Sequence, residues 1–169
     1  MTTLSRLLRA MLPGVLVLPF AVTAGAASVR PAPPPPTAAD SRTIHSCLNR
    51  ADGSDTTVTI GQACIGIVAG PCITAALHAR DHAAGKQACT MRELAVWHAE
   101  LVTALRQVQH SRLPDLTAAV GRSQEAWKAS LDALCPMHGY LPAPAYCMMT
   151  ETAHRALLLR RLGTTMKNP

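Results

Sequence analysis

The pattern of apolar and polar residues predicts three amphipathic helices in the second half of the chain. Between Lys86 and Gln109, apolar side chains recur at steps of three and four residues, which places them on one face of a helix. A second helix of the same kind follows Pro114. A third begins near Tyr146 and is expected to end at Gly163, because glycine is favoured just after the last turn of a helix.

The first half of the chain has a weaker pattern. Short helical pieces are predicted at about 60–69 and 72–83, and one β-like stretch, residues 56–60, is expected to lead into a helix. No run of residues alternates regularly enough to predict a sheet. The predicted fold class is therefore all-α, a small disulfide-stapled helical domain built from helical hairpins.

The N-terminal residues have the composition of an export signal. Arg6 and Arg9 precede an apolar run over residues 10–22, and small residues follow at positions 24–26. The run is too short to span a bilayer, so cleavage is favoured over anchoring. We predict that residues 1–26 are a signal peptide and that the mature protein has no stable membrane anchor. A periplasmic or secreted location in a bacterium follows from this prediction.

Composition divides the rest of the chain into a linker, a folded domain and a tail. Residues 27–42 are rich in proline and alanine, which favours extended polyproline conformations over a packed core. Residues 43–163 are predicted to form the helical domain, and residues 164–169 a short tail. The 169 residues leave room for one core of ordinary size.

Six cysteines, an even number, lie in the predicted mature part, as is typical of exported proteins with disulfides. The gaps between the first four are 17, 8 and 17 residues, a symmetric spacing that favours two concentric bridges across one antiparallel hairpin. The chain is expected to reverse at Gly70-Pro71, and the third bridge to close the loop 136–145 between two helices. The predicted pairs are Cys47–Cys89, Cys64–Cys72 and Cys135–Cys147.

Several residues of the helical part form a recognisable set. The segment from Cys64 to Cys72 contains a Gly-Pro pair, and a Gln-x-x-Trp helix ends at Cys135. The other members are Glu93, Trp97, Gln124, Trp127, Asp132 and Arg155. This set resembles the LprI-type lysozyme inhibitor family over roughly residues 60–160, although His98 and Leu131 stand where that family commonly has Asp and Arg. The resemblance implies an exported helical domain linked by disulfides, with lysozyme inhibition as the activity.

Physical chemistry gives structural roles to this set. Trp97 and Trp127 lie near the apolar faces of two helices and are predicted to be core residues. Glu93 and Arg155 are predicted either to form a partly buried pair that holds helices in register or to be solvated. Asp132 is expected to accept a hydrogen bond from a neighbouring helix.

Charge limits the choice of partners and of binding surface. The formal charge is +6, and loss of two arginines with the signal peptide leaves +4. Many lysozymes are also basic, so an inhibitor of the same sign needs an uncharged contact surface. We predict that His138, Tyr140 and Leu141 of the loop 136–145 bind the partner, a lysozyme or another envelope protein. Nucleic acid is not an expected partner in this compartment.

Two other functions stay open. His78 and His82 are four residues apart, which puts both imidazoles on one helix face, and Met137-His138 and Met148-Met149 add soft ligands. These residues favour a periplasmic soft-metal protein that binds copper as the alternative. The other alternative is a structural envelope domain whose partner is unknown.

Catalysis is not predicted. The ten carboxylates are scattered singly along the chain, whereas acid and base chemistry needs titratable groups gathered in a cleft. The sequence contains no Gly-x-Ser-x-Gly, His-Glu-x-x-His or phosphate-binding glycine loop. The favoured prediction is a non-catalytic domain that blocks the cleft of an enzyme and needs no cofactor.

Overall fold

The computed structural model describes residues 35–52, 61–77, 82–135 and 144–165. Five helices lie in these ranges, and their bounds are α1 Ala38–Asp52, α2 Ala69–Ala76, α3 His82–Gln109, α4 Pro114–Leu134 and α5 Pro144–Thr165. The described part contains no strand, so the predicted all-α fold class is confirmed. None of these helices is long and apolar enough to cross a membrane. The predicted signal peptide and the β-like stretch 56–60 lie outside the described residues.

Helix α3 is the centre of the fold, because the four other helices pack against it. Helices α1 and α5 run parallel to α3, since successive contacts advance in the same direction along both partners. On α1, Asp40 meets Arg92 and His45 meets Glu100. On α5, Arg160 meets Glu100 and Gly163 lies near Gln107. Helix α2 runs the opposite way, with Ala69 at the level of Glu93 and Cys72 bonded to Cys89. Helix α4 returns antiparallel to α5.

The core lies where α1 and α5 pack against α3. Its largest side chains come from these three helices, and they are Ile44, Leu48, Val96, Trp97, Val108, Met149 and Leu159. Trp97 is wholly inaccessible to solvent, and burial of an aromatic ring stabilises the fold by about 3 kcal/mol. Helix α4 is an outer layer in which Val120 and Gln124 are the only described side chains that are buried.

Helix α1 begins inside the segment predicted as a linker. The predicted linker, residues 27–42, overlaps the helix over residues 38–42. Thr37 provides the start, because its hydroxyl accepts a hydrogen bond from the backbone N–H of Asp40 at 3.1 Å, as an N-cap threonine does. The predicted domain boundary at residue 43 is therefore too late, and the folded part includes the whole of α1.

Helix α5 continues past Gly163, the predicted end, and runs to Thr165. Gly163 is buried, and a Cβ added there would lie 3.1 Å from Oε1 of Gln107 on α3. Gly163 therefore lies within the last turn of α5, next to the Gln107 side chain of α3, and does not end the helix. The short helices predicted in the first half also differ, because residues 63–68 form turns and α2 covers 69–76.

The first two disulfides differ from the predicted pairs. Cys47 is bonded to Cys64, and Cys72 to Cys89, with Cα–Cα distances of 5.8 and 5.6 Å. The predicted concentric pairs, Cys47–Cys89 and Cys64–Cys72, are therefore wrong. The spacing of 17, 8 and 17 residues could not separate the two patterns, because each sequential pair spans one of the 17-residue gaps. Each of these bridges joins a neighbouring segment to a helix of the core.

The place where the chain turns explains the pairing. Gly70 and Pro71 lie in the first turn of α2 and not at a reversal, which suits proline because a first-turn residue needs no N–H partner within the helix. The change of direction comes earlier, in the turns that contain Gly66, whose φ is +93°. The third bridge joins Cys135 to Cys147, the predicted pair, with a Cα–Cα distance of 5.5 Å.

Tryptic digestion of the unreduced protein distinguishes the two patterns. No lysine or arginine lies between residues 51 and 79, so Cys64 and Cys72 remain in one peptide, 51–80. We expect this peptide to be linked to both 43–50 and 87–92, in a single three-peptide species detected by mass spectrometry. A species containing only 43–50 and 87–92, beside an internally bridged 51–80, would contradict the observed pairs.

Candidate functional site

Four of the residues on which the family resemblance rests belong to two polar clusters. Glu93 is the centre of the first cluster. Its carboxylate is fully buried on α3 and accepts four hydrogen bonds. Oε1 accepts from the backbone N–H of Gly66 at 2.6 Å and from the Trp97 indole at 2.9 Å. Oε2 accepts from the backbone N–H groups of Val68 and Ala69 at 2.9 and 2.7 Å. All four partners are N–H donors, and a carboxylate only accepts hydrogen bonds, so the site is complementary to a carboxylate.

This cluster fastens the turn before α2 to the core helix. The N–H groups of Val68 and Ala69 open α2 and have no partner within it, and the negative carboxylate also faces the positive end of the helix dipole. Glu93 thus replaces the side-chain cap that α2 lacks. A pair between Glu93 and Arg155, one of the two predicted outcomes, does not form, and Glu93 is not solvated either.

Gln124 and Arg155 form the second cluster, which joins α4 to α5. Nε of Arg155 donates to Oε1 of Gln124 at 2.9 Å, and Nη2 donates to the Ser123 hydroxyl at 3.0 Å. Gln124 is buried, and partial burial lowers the pKa of the Arg155 guanidinium. The contact gives the outer helix a fixed orientation, because the planar guanidinium binds two acceptors on one turn of α4.

The remaining members of the set have smaller roles in the described structure. Trp127 is partly buried and packs against the core cluster, whereas Trp97 is its centre. Thr152, which follows Cys147 in the sequence pattern, is buried on α5. Asp132 lies in α4, and its side chain is outside the described part, so its expected hydrogen bond stays a prediction.

Two further polar contacts hold α1 against the core, and sequence reasoning missed both. Arg92 binds the Asp40 carboxylate with Nη2 at 2.7 Å from Oδ1 and Nε at 3.2 Å from Oδ2. Glu100 accepts from Nε2 of His45 at 2.6 Å and from Nη1 of Arg160 at 3.4 Å. Glu100 therefore links α1, α3 and α5 at one level of the bundle.

The contact between Asp40 and Arg92 makes stability depend on pH. Burial alone would raise the pKa of the Asp40 carboxyl, but hydrogen bonds and the charge of Arg92 outweigh it and hold that pKa below its usual 3.8. A lowered pKa stabilises the fold above the unfolded pKa, and this contribution is lost as pH falls through the folded value. We expect D40N to lower the free energy of unfolding at pH 7, with the difference from wild type shrinking below about pH 4. Denaturation at a series of pH values measures this, and a constant difference down to pH 2 would contradict it.

The end of the bundle at the third disulfide has an exposed apolar border. Leu134 and Tyr146 each precede a bonded cysteine, and they are 55% and 43% exposed. The predicted partner-binding residues His138, Tyr140 and Leu141 belong to the loop that starts here, and they lie outside the described residues. The described structure therefore places the two ends of that loop together and leaves its contact residues a prediction.

The residues suggested for metal binding do not form a ligand set in the described part of the chain. His78 lies outside it, and Nδ1 of His82 is 3.3 Å from the carbonyl oxygen of Ala76. Met149 is fully buried in the core, and Met148 packs against it. All six cysteines are in disulfides, and the described residues contain no group of three potential His, Cys, Asp or Glu ligands.

Comparison with known proteins gives one match. A family model described as "Lysozyme inhibitor LprI" matches residues 74–159, which is half of the chain. The match covers all of α3 and α4 and most of α5, and so includes Glu93 and Trp97 of the first cluster and the whole of the second. The turn 66–69, whose N–H groups bind Glu93, precedes it. Comparisons with curated proteins and with solved structures found no match. The chain belongs to the LprI lysozyme inhibitor family.

Proposed function

We propose that the protein is an exported, non-catalytic inhibitor that binds a lysozyme and blocks its cleft. The observation that carries the proposal is the family match over residues 74–159. A glycoside hydrolase cleaves its substrate with two carboxylates in a cleft, so occupation of the cleft suffices for inhibition. The inhibitor needs a rigid surface for this purpose and no reacting group of its own.

The described scaffold supports a rigid binding surface. The disulfides join α1 to the turn 63–68, α2 to α3, and the end of α4 to α5. The buried carboxylate of Glu93 ties the turn before α2 to α3. A surface that is ordered before binding loses less conformational entropy in the complex, which favours affinity. The three disulfides also fit a protein of an oxidising compartment, so we propose a periplasmic or secreted location.

We assign the contact with the enzyme to the loop 136–145. Its ends are held by the bridge between Cys135 and Cys147, and its residues include no Asp, Glu, Lys or Arg. An uncharged loop avoids the repulsion between a basic inhibitor and a basic enzyme. The exposed side chains of Leu134 and Tyr146 extend the apolar surface on the described side of the bridge.

Replacement of Tyr140 and Leu141 tests this assignment. Buried aromatic and apolar anchors dominate most protein interfaces, so we expect Y140A/L141A to weaken lysozyme binding by about tenfold or more. The matched control is V102A/L158A, which removes two exposed apolar side chains from α3 and α5. Surface plasmon resonance with immobilised lysozyme measures both. Equal affinity of wild type and Y140A/L141A, or a larger loss in the control, would contradict the assignment.

A further inference from the structure

An open groove of about 610 Å³ lies along the outer side of α1, next to the turn that contains Ile67. Arg42, Ser46 and Arg50 line it from the helix. These three residues are spaced by four, so they share one face of α1, and the two arginines are about 12 Å apart along the axis at ~1.5 Å per residue. Thr43 adds a second hydroxyl to the lining.

The groove is positively charged and contains no acidic residue. Arg42 and Arg50 are exposed, and neither has an ion pair with a residue whose side chain the structure describes. Asp40, the acidic residue in the first turn of the same helix, is buried against α3 and is bound by Arg92. Helix α1 thus turns the carboxylate of its first turn, Asp40, inward and its two permanent cations outward.

We propose that this face of α1 binds a polyanion that carries repeated phosphate groups. A guanidinium binds phosphate oxygens with two parallel hydrogen bonds, and the hydroxyl of Ser46 donates to the same kind of acceptor. The Thr43 hydroxyl instead donates to the carbonyl oxygen of Ala39 at 3.1 Å. The Cα atoms of Arg42 and Arg50 are about 12 Å apart along the helix axis, so extended side chains present two separate phosphate contacts. A chain with several phosphates along its length contacts both arginines at once and gains from the second contact.

The surface fits a soluble chain better than a lipid bilayer. A helix that lies on a membrane presents large apolar side chains beside its basic ones. The exposed large apolar residues of the described chain are Leu77, Val102, Leu113, Leu134, Tyr146 and Leu158, and none of them is on α1. Polyanion binding is also independent of lysozyme inhibition, because the groove and the 136–145 loop share no residue.

Titration with long-chain inorganic polyphosphate tests the proposal. Fluorescence anisotropy of the labelled full chain at low salt gives the affinity, and repetition at rising salt gives the number of contacts. We expect R42Q/R50Q to bind at least tenfold more weakly than wild type and to reduce the slope of log affinity against log salt by roughly one to two. The matched control, R112Q/R122Q, removes two other exposed arginines and the same net charge. It is expected to stay within about threefold of wild type, since screened surface charges contribute little.

Three outcomes would overturn the proposal. An equal loss in both double variants would assign binding to net charge and not to α1. Equal affinity of wild type for inorganic phosphate and for polyphosphate would exclude a chain-binding surface. Arginine-dependent binding to phosphatidylglycerol vesicles without binding to polyphosphate would assign the surface to a membrane. All four substituted arginines are exposed, so circular dichroism is expected to show wild-type helix content in both variants.

Discussion

E93Q is expected to lower the free energy of unfolding by about 3 kcal/mol, because it disrupts a fully buried acceptor of four hydrogen bonds. In either orientation the amide replaces one carboxylate oxygen with an NH₂ group. That group would point at two N–H donors, either those of Gly66 and Trp97 or those of Val68 and Ala69. The charge that complements the start of α2 is lost as well.

Chemical denaturation followed by the fluorescence of the two tryptophans measures this effect. The matched control is E125Q on α4, where Glu125 is 73% exposed and, among the described residues, pairs with Lys128 one turn away. A pair of this kind contributes at most about 0.5 kcal/mol, so E125Q is expected to behave like wild type. A loss below about 1 kcal/mol for E93Q would mean that Glu93 is not the anchor of the turn 66–69.

Removal of the third disulfide is expected to abolish most of the inhibition. In C135S/C147S the ends of the loop 136–145 are no longer held at a Cα–Cα distance of 5.5 Å. The free loop then loses more conformational entropy on binding, and we expect the affinity for lysozyme to fall by about tenfold or more. Stability falls as well, by about 3 kcal/mol for a loop of this length.

The control for that loss is C72S/C89S, which opens a loop of similar length on another side of α3. Its stability is expected to fall by a similar amount, about 3 kcal/mol, while its folded form keeps full inhibition. Inhibition by the two variants is compared at a temperature at which circular dichroism shows that both are folded. This comparison separates the effect of the loop constraint on binding from the effect of lost stability. Equal inhibition by both variants would contradict the role of the loop.

The three long helices could be predicted from sequence, because their apolar residues repeat at helical steps over five or more turns. The burial of Trp97 followed from its place on such a face. The family could also be predicted, because Gln124 and Trp127 before Cys135, and Arg155 after Cys147, have a recognisable spacing on two neighbouring helices. The periodic apolar pattern reports which face of each helix packs against its neighbours, and so it predicts contacts within and between these helices.

The first two disulfides could not be predicted in the same way, because their pairing depends on where the chain turns. That turn is held by hydrogen bonds to Glu93 from residues 24 to 27 positions earlier. The position of helix α1 could not be predicted for a similar reason. Beyond its local cap at Thr37, the helix is held against α3 by a contact between Asp40 and Arg92, 52 residues apart. Contacts at such separations leave no periodic signal in the sequence, so residues 38–42 have the composition of the linker although they are helical.

For the residues on which the family resemblance rests, the sequence indicated which residues matter but not which residues they contact. Glu93 and Arg155 were considered as one pair, whereas each belongs to a separate cluster. A glutamate four residues before a tryptophan on one helix is compatible with a direct contact, since such residues are neighbours on the helix surface. That spacing is the signal from which the contact between Glu93 and Trp97 can be recognised.

The measurement that tests the central claim most directly is lysozyme activity in the presence of the exported, fully oxidised protein. Clearing of a bacterial cell suspension reports the enzyme rate, and mass spectrometry confirms three disulfides before the assay. We expect micromolar protein to inhibit at least one type of lysozyme, and reduction of the disulfides to remove the inhibition. Unchanged activity of several lysozyme types with the folded protein in excess would contradict the account of this chain as a lysozyme inhibitor.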